Sequence, residues 1–139
     1  MGEVMRFKSR PRVLIVDDDP ETCVLLSSLL DAEGIDVVGT APDGTTAVDL
    51  TFDLSPCVVL MDIRMPGVSG ISATRTIKAS LVDAQVILFT FFGDTDWAEA
   101  AQDAGAFCYL VKGCPPAMIT EMIQRAWGHL RAQRELETG

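Results

Sequence analysis

Five short runs of apolar and β-branched residues recur along the chain, at Arg12 to Val16, Asp36 to Thr40, Cys57 to Met61, Gln85 to Thr90 and Phe107 to Val111, with helix-like segments between them. The alternation predicts a βα unit repeated five times. Runs one, three and four contain VLIV, CVVLM and VILFT with no polar alternation, the pattern of strands covered on both faces, while the second and fifth are more mixed. An α/β fold with a parallel sheet flanked by helices is therefore expected. The first helix has a strong start signal in Asp19 as N-cap, Pro20 at the first helical position and Glu21 in the first turn, and Gly34 supplies its stop. Leu25, Leu26, Leu29 and Leu30 are expected to form its apolar face. The last helix begins near Pro115 and Pro116 and repeats Ile119, Met122, Ile123, Ala126, Trp127 and Leu130 as a stripe at helical spacing, read as core contact. Beyond it RAQRELETG is charged and lacks a core pattern, which suits frayed helix or the start of a linker.

Composition narrows the function classes. A chain of 139 residues with 48% hydrophobic residues suits one domain with a real core. Eleven basic against twenty acidic residues give a net charge of −9, which disfavours direct contact with nucleic acid or an anionic membrane. The longest apolar stretches, Cys57 to Met61 and Val86 to Phe92, are strand-sized and far short of a membrane span. The N-terminal MGEVMRFKSRPR has no apolar signal-peptide core, so a cytoplasmic address is expected. Cys23, Cys57, Cys108 and Cys114 contain no CxxC and read as small hydrophobes; the single histidine, His129, reads as a helix-surface residue, so zinc chemistry is not expected.

Parallel α/β sheets collect ligands at the carboxyl ends of their strands. Here strand one ends in Asp17, Asp18 and Asp19, strand three in Asp62, strand four in Thr90 and strand five in Lys112. Singly, each has an ordinary explanation as a helix cap, a turn residue or a solvated strand end. Together, at spacings of 44, 28 and 22 residues from Asp18 onward, they form a candidate site for a hard cation and an anion. Oxygen-only ligation favours Mg²⁺, and a phosphoryl group is the natural anion. Crowded carboxylates at Asp17, Asp18 and Asp62 would repel one another and welcome a divalent ion. If Asp62 became an acyl phosphate, Mg²⁺ and Lys112 would meet its charge and the Thr90 hydroxyl would donate to a phosphoryl oxygen.

LIVDDDP (Leu14 to Pro20), VVLMDIRMPGVSG (Val58 to Gly70), VILFT (Val86 to Thr90) and AGAFCYLVKG (Ala104 to Gly113) resemble the receiver domain of two-component response regulators over about residues 11–130. The resemblance implies a flavodoxin-like, doubly wound (βα)5 sheet of order 2-1-3-4-5, with 1–10 as an N-terminal extension and 131–139 as a tail or linker start. It also implies a phosphoacceptor at Asp62, phosphorylated by a sensor histidine kinase in a Mg²⁺-dependent reaction. Asp18 would ligate the metal directly, Asp17 largely through water, and Arg64 through its backbone carbonyl. Asp19 would be the helix cap. Thr90 and Lys112 would be the switch hydroxyl and the lysine of the family pattern, and Tyr109 the aromatic switch residue. Phosphorylation would then bias a two-state equilibrium and change the face built from the fourth helix, fifth strand and fifth helix. That face would serve an output partner or a homodimer. The Lys-Gly junction followed by Pro115 and Pro116 resembles the branch that precedes helix-turn-helix output domains, which points to transcriptional control by a signalling domain rather than an enzyme.

Three residues depart from the family pattern. Phe91 replaces a usually small residue, and a ring there would restrict access to Asp62 or alter transfer rates. Gly113 stands where many receivers have proline, so the cis peptide common at that bond is not implied. Cys108 stands where glycine is common. Three other readings compete with a working receiver. A haloacid dehalogenase-type phosphatase would use Asp17 as nucleophile, but it needs a later acidic strand-end motif, and the first acid after Lys112 is Glu121 within a helix. FMN binding of the flavodoxin type is opposed by three aspartates where the phosphate loop should be. A degenerate receiver acting as a phosphorylation-independent interaction module is favoured by Phe91 and opposed by the intact Asp18, Asp62, Thr90 and Lys112.

Overall fold

The computed structural model describes residues 10–80, 83–91 and 97–138. Five strands, β1 (Arg12–Val16), β2 (Asp36–Ala41), β3 (Val58–Asp62), β4 (Gln85–Thr90) and β5 (Cys108–Val111), alternate with five helices. The helices are α1 (Pro20–Ala32), α2 (Gly44–Leu54), α3 (Gly70–Ala79), α4 (Trp97–Ala104) and α5 (Pro116–Thr138). The strands pair in parallel in the order β2-β1-β3-β4-β5, the expected doubly wound topology. β2, β3 and β5 each begin or end one residue away from the sequence expectation, because the period-two pattern does not mark where backbone pairing stops. The N-terminal extension other than Arg10 lies outside the described residues.

Burial follows the hydropathy pattern. β3 and β4 are buried throughout and β1 nearly so, while the edge strands β2 and β5 are mixed. Alternation along each strand splits the core in two. Leu14, Val16, Val59, Met61, Val86 and Leu88 face α2, α3 and α4, where they meet Ala47, Ile71, Ile77 and Ala101. Val13, Ile15, Val58, Leu60, Ile87 and Phe89 face α1 and α5, where they meet Cys23, Leu30, Ile119 and Ile123. The fully apolar central strands are thus explained by helices on both faces.

Local signals set the helix ends. The Asp19 carboxylate accepts the Glu21 N–H at 3.1 Å and the Thr22 hydroxyl at 2.9 Å, holding the first turn of α1. At the other end the Gly34 N–H reaches the Asp31 carbonyl and the Ile35 N–H reaches that of Leu30, both at 3.0 Å, with Gly34 at φ +77°. This is a Schellman stop, and the buried Leu30 and Ile35 supply its apolar contact.

The expected face of α1 needs a correction. Leu25 is 70% exposed, and the inward edge is instead Cys23, Leu26 and Leu30, of which Leu26, like Leu29, is only partly covered. Residue 25 lies about 130° around the helix from the middle of that edge at 100° per residue, so the packed face is turned toward Cys23 rather than centred on the four leucines. In α5 the expected stripe does face the core: Ile119, Ile123, Ala126 and Leu130 are buried and Met122 and Trp127 are partly so. RAQRELET continues that helix to Thr138. Of the cysteines only Cys23 is fully buried; all are free, and burial pushes the Cys108 thiol up to about 11. His129 is exposed and sits beside the Phe107 ring. Among the described residues no helix is long and apolar enough to cross a membrane.

Candidate functional site

Strand alternation continues past the last residue of each strand and decides which polar groups meet. The series 13, 15, 17 on β1, 58, 60, 62 on β3, 87, 89, 91 on β4 and 110, 112 on β5 all lie on the α1 and α5 side. Asp17, Asp62, Phe91 and Lys112 therefore share one corner of the sheet's carboxyl edge. Thr90 follows Val86 and Leu88 on the opposite side, where half-buried Tyr109 also packs.

The Lys112 ammonium lies 2.8 Å from Asp17 Oδ2 and 3.3 Å from Asp62 Oδ2. The Phe91 ring, 63% exposed, has its centroid 4.8 Å from Lys112 Nζ. Asp17 is held from behind, since its Oδ1 accepts the Asp19 N–H at 2.9 Å and its carbonyl lies 3.5 Å from the Cys23 thiol. Asp62 is the last residue of β3, only 4% exposed, and its Oδ1 accepts the Arg64 N–H at 3.3 Å. Carboxylate oxygens of Asp17, Asp18 and Asp62 come within 4.8 Å of one another, Asp18 being the exposed member. Asp19 is engaged as the helix cap. The crowded acids are thus not left to repel unopposed, because one lysine from the far edge of the sheet lies between two of them.

Thr90 is 2% exposed, and among the described residues its hydroxyl has no hydrogen-bond partner. Asp62 pairs in register with Phe89, so this orphaned hydroxyl belongs to the residue that follows Asp62's neighbour on the adjacent strand. A buried hydroxyl without a partner carries its desolvation cost uncompensated. Replacing it with an isosteric methyl, Thr90→Val, is expected to stabilise the protein by about 1 kcal/mol in urea unfolding. A loss of stability would show that the hydroxyl is satisfied in solution.

Lys112 leads into a turn in which Gly113 has φ +100° and the Cys114 N–H reaches the Val111 carbonyl at 3.0 Å. Proline, fixed near φ −65°, does not fit there, and the Lys112–Gly113 bond is trans. One structural determinant is invisible in the sequence. Gly70 opens α3 directly against β3, where a Cβ would come 2.2 Å from the Asp62 carbonyl oxygen and 2.9 Å from the Ile63 Cα. Its N–H also reaches the Ile63 carbonyl at 2.8 Å. A glycine after a turn signals the turn but not this close approach.

Against known families, residues 13–124 match the model of the response regulator receiver domain. The chain belongs to the response regulator receiver family. It is similar to the transcriptional regulatory protein LiaR of Bacillus subtilis, at 40% identity over 116 residues that cover 83% of this chain and 55% of that protein. The receiver thus spans about half the length of the curated relatives it matches. Among solved structures it resembles a LuxR-family two-component response regulator from Aurantimonas, with TM-score 0.82 and 32% identity, covering 87% of each chain. It also resembles a chain of the CheX-CheY-BeF3-Mg complex from Borrelia burgdorferi, with TM-score 0.77 and 28% identity, covering 84% of this chain and 88% of that one.

The receiver's electrostatics are asymmetric. Burial is the main force raising the Asp62 carboxyl above its usual range, with the charge of Asp17 adding to it and the Lys112 ammonium opposing. Burial alone would lower the Lys112 ammonium, but the hydrogen bond and charge of Asp17 and the charge of Asp62 outweigh it and hold it above its ordinary value. Lys112 gains from two anions, whereas Asp62 shares one cation with a like-charged neighbour, so the two shifts agree. An oxygen-only set of three carboxylates this close suits Mg²⁺, and the Asp62 charge is the one with most to gain from it.

Proposed function

We propose that this receiver takes a phosphoryl group from the phosphohistidine of a sensor histidine kinase onto Asp62. The observation that carries the reading is the buried Asp62 carboxylate at the end of β3, clustered with Asp17 and Asp18 and faced by the Lys112 ammonium at 3.3 Å. An Asp62 oxygen attacks phosphorus, the N–P bond of the donor breaks, and the imidazole leaves with its electron pair. Asp18, Asp62 and the Arg64 carbonyl would hold Mg²⁺, with Asp17 acting largely through water. Bound there, Mg²⁺ supplies positive charge opposite the phosphoryl oxygens. Lys112 stays on the other side of the new group, and Thr90 donates its proton to a phosphoryl oxygen.

Thr90 and Tyr109 pack on one side of the sheet, with Leu88 opposite Tyr109 in register. Movement of Thr90 toward the phosphoryl group frees space for the Tyr109 ring and changes the surface of α4, β5 and α5. We assign the receiver to residues 11–130, with 1–10 as an N-terminal extension and 131–139 as a tail or the start of a linker; by likeness to LiaR, the output it controls is transcriptional. The surface serves that output or a homodimer. The chain is then a cytoplasmic signalling domain whose only chemistry is its own phosphorylation and dephosphorylation.

Intact-protein mass after incubation with acetyl phosphate and Mg²⁺ tests this. A labile gain of one phosphoryl group, absent with chelator, is expected. No gain, with beryllofluoride and Mg²⁺ also failing to bind, would leave the phosphorylation-independent module, its site closed by the Phe91 ring. Millimolar Mg²⁺ alone should raise Tm, because the folded state binds it and the unfolded chain does not. Asp18→Asn should remove most of that rise, and an unchanged rise would place the ion elsewhere.

A further inference from the structure

A second, oppositely charged site lies at the other end of the sheet. A cavity of about 420 Å³ opens where the amino end of β1 meets the last turns of α5, and it is lined by Arg10, Arg12, Trp127, Arg131, Arg134 and Glu135 among others. The five residues of β1 separate it from Asp17 by roughly 16 Å of strand, so it shares nothing with the Asp62 site. Four of the chain's eight arginines gather here, on a protein whose net charge is −9.

Backbone and ring contacts hold three of these arginines without neutralising them. Arg12 donates to the carbonyls of Ser55 and Leu54 at 2.7 and 2.8 Å, tying β1 to the end of α2. Arg10 donates from Nε to the Gly34 carbonyl at 2.8 Å, and the Arg131 guanidinium lies 4.8 Å from the centre of the Trp127 ring. Among the described residues no carboxylate pairs with Arg10, Arg12 or Arg131; Arg134 alone has one in Asp83, at 3.6 Å. Each guanidinium carries five N–H donors, so the backbone bonds consume two from Arg12 and one from Arg10. Oriented forks with spare donors around a cavity suit an anion that several arginines grip at once.

We propose that this groove binds an oligophosphate, that is, two or more linked phosphates such as a nucleoside polyphosphate or inorganic polyphosphate carries. Trp127 is one of two tryptophans, so Trp97→Phe leaves it as the chain's sole tryptophan. Among the described residues the buried Trp97 indole N–H has no partner, which makes phenylalanine a mild replacement there.

The test titrates Trp97→Phe protein, without Mg²⁺, with tripolyphosphate, ATP, GTP and orthophosphate, following Trp127 emission and heat of binding. Saturable binding of tripolyphosphate at least tenfold tighter than orthophosphate is expected, weakened at least tenfold by Arg10→Gln or Arg131→Gln with circular dichroism unchanged. Equal affinity for ATP and tripolyphosphate would make the phosphate chain the whole determinant. Tighter ATP or GTP would identify the nucleotide as the source. No saturation at millimolar concentration, parity of orthophosphate with tripolyphosphate, or unaltered affinity in both arginine variants would overturn the proposal. So would an acidic peptide that binds more tightly than every phosphate, which would assign the groove to a protein partner.

Discussion

Asp62→Asn is expected to abolish the phosphoryl gain from acetyl phosphate completely while raising the Tm of the Mg²⁺-free protein by a few degrees. The loss follows because an amide offers no anionic oxygen to phosphorus, and among the described residues no other carboxylate is both buried at the end of a central strand and in contact with Lys112 except Asp17, whose oxygens are tied to Lys112 and the Asp19 backbone. The gain in stability follows from the direction of the Asp62 shift. Its folded-state pKa is raised by burial and by Asp17, so the folded protein binds a proton more readily than the unfolded chain. Charging Asp62 therefore lowers stability as pH rises from the ordinary carboxylate value of 3.8 through the raised one, and the penalty is full only above the raised value. The advantage of the Asn variant should accordingly be largest above the raised value and shrink as pH falls below it toward 3.8. Thermal melts of both proteins across pH, with chelator, measure it. A variant less stable than wild type at pH 7 would mean that the Lys112 contact outweighs burial; a variant that still gains a phosphoryl group would move the acceptor away from Asp62.

Gly70→Ala is expected to destabilise the fold by about 2–3 kcal/mol and to slow phosphorylation. The added methyl would meet the Asp62 carbonyl oxygen at 2.2 Å, and the atoms it strikes are backbone in a strand fixed between β1 and β4. Either α3 must back away or the end of β3 must shift, and the second displaces the acceptor itself. Gly128→Ala is the control, because nothing lies within 4 Å of its Cβ and the residue sits inside α5. That substitution should stabilise by up to about 1 kcal/mol through helix propensity. Urea unfolding of the two variants separates close approach from helix propensity. Equal stability of Gly70→Ala and wild type would show that α3 can move freely from β3.

The chain spans about half the length of transcriptional regulators such as LiaR, and the receiver is electrostatically polar along its strands. One end of the sheet concentrates Asp17, Asp18 and Asp62 around a single lysine; the other gathers Arg10, Arg12 and Arg131. A cation is favoured at the first and an anion at the second. The two sites lie at opposite ends of rigid strands, so ligands at each can be tested independently.

Much of this was legible in the chain. Uninterrupted apolar runs in β1, β3 and β4 determined that both faces of the sheet are covered, because period-two burial on one face alone would have required polar residues in alternation. Parallel order then placed Asp17, Asp18, Asp62, Thr90 and Lys112 at one edge without any coordinates. Helix caps at Asp19 and Gly34 were equally local, each set by one side chain or one positive φ. What the sequence did not determine depends on distances between segments far apart in the chain. Leu25 belongs to an apolar cluster in sequence and to the surface in space, since only the packed angle of α1 decides which leucines meet the sheet. The placement of Lys112 between two aspartates, the missing partner of the Thr90 hydroxyl, the contact of Gly70 with the Asp62 carbonyl and the gathering of Arg10, Arg12 and Arg131 are likewise tertiary facts. Residue type and spacing fix which groups reach an edge of the sheet, whereas angstrom-scale packing of helices on that sheet fixes which of them touch.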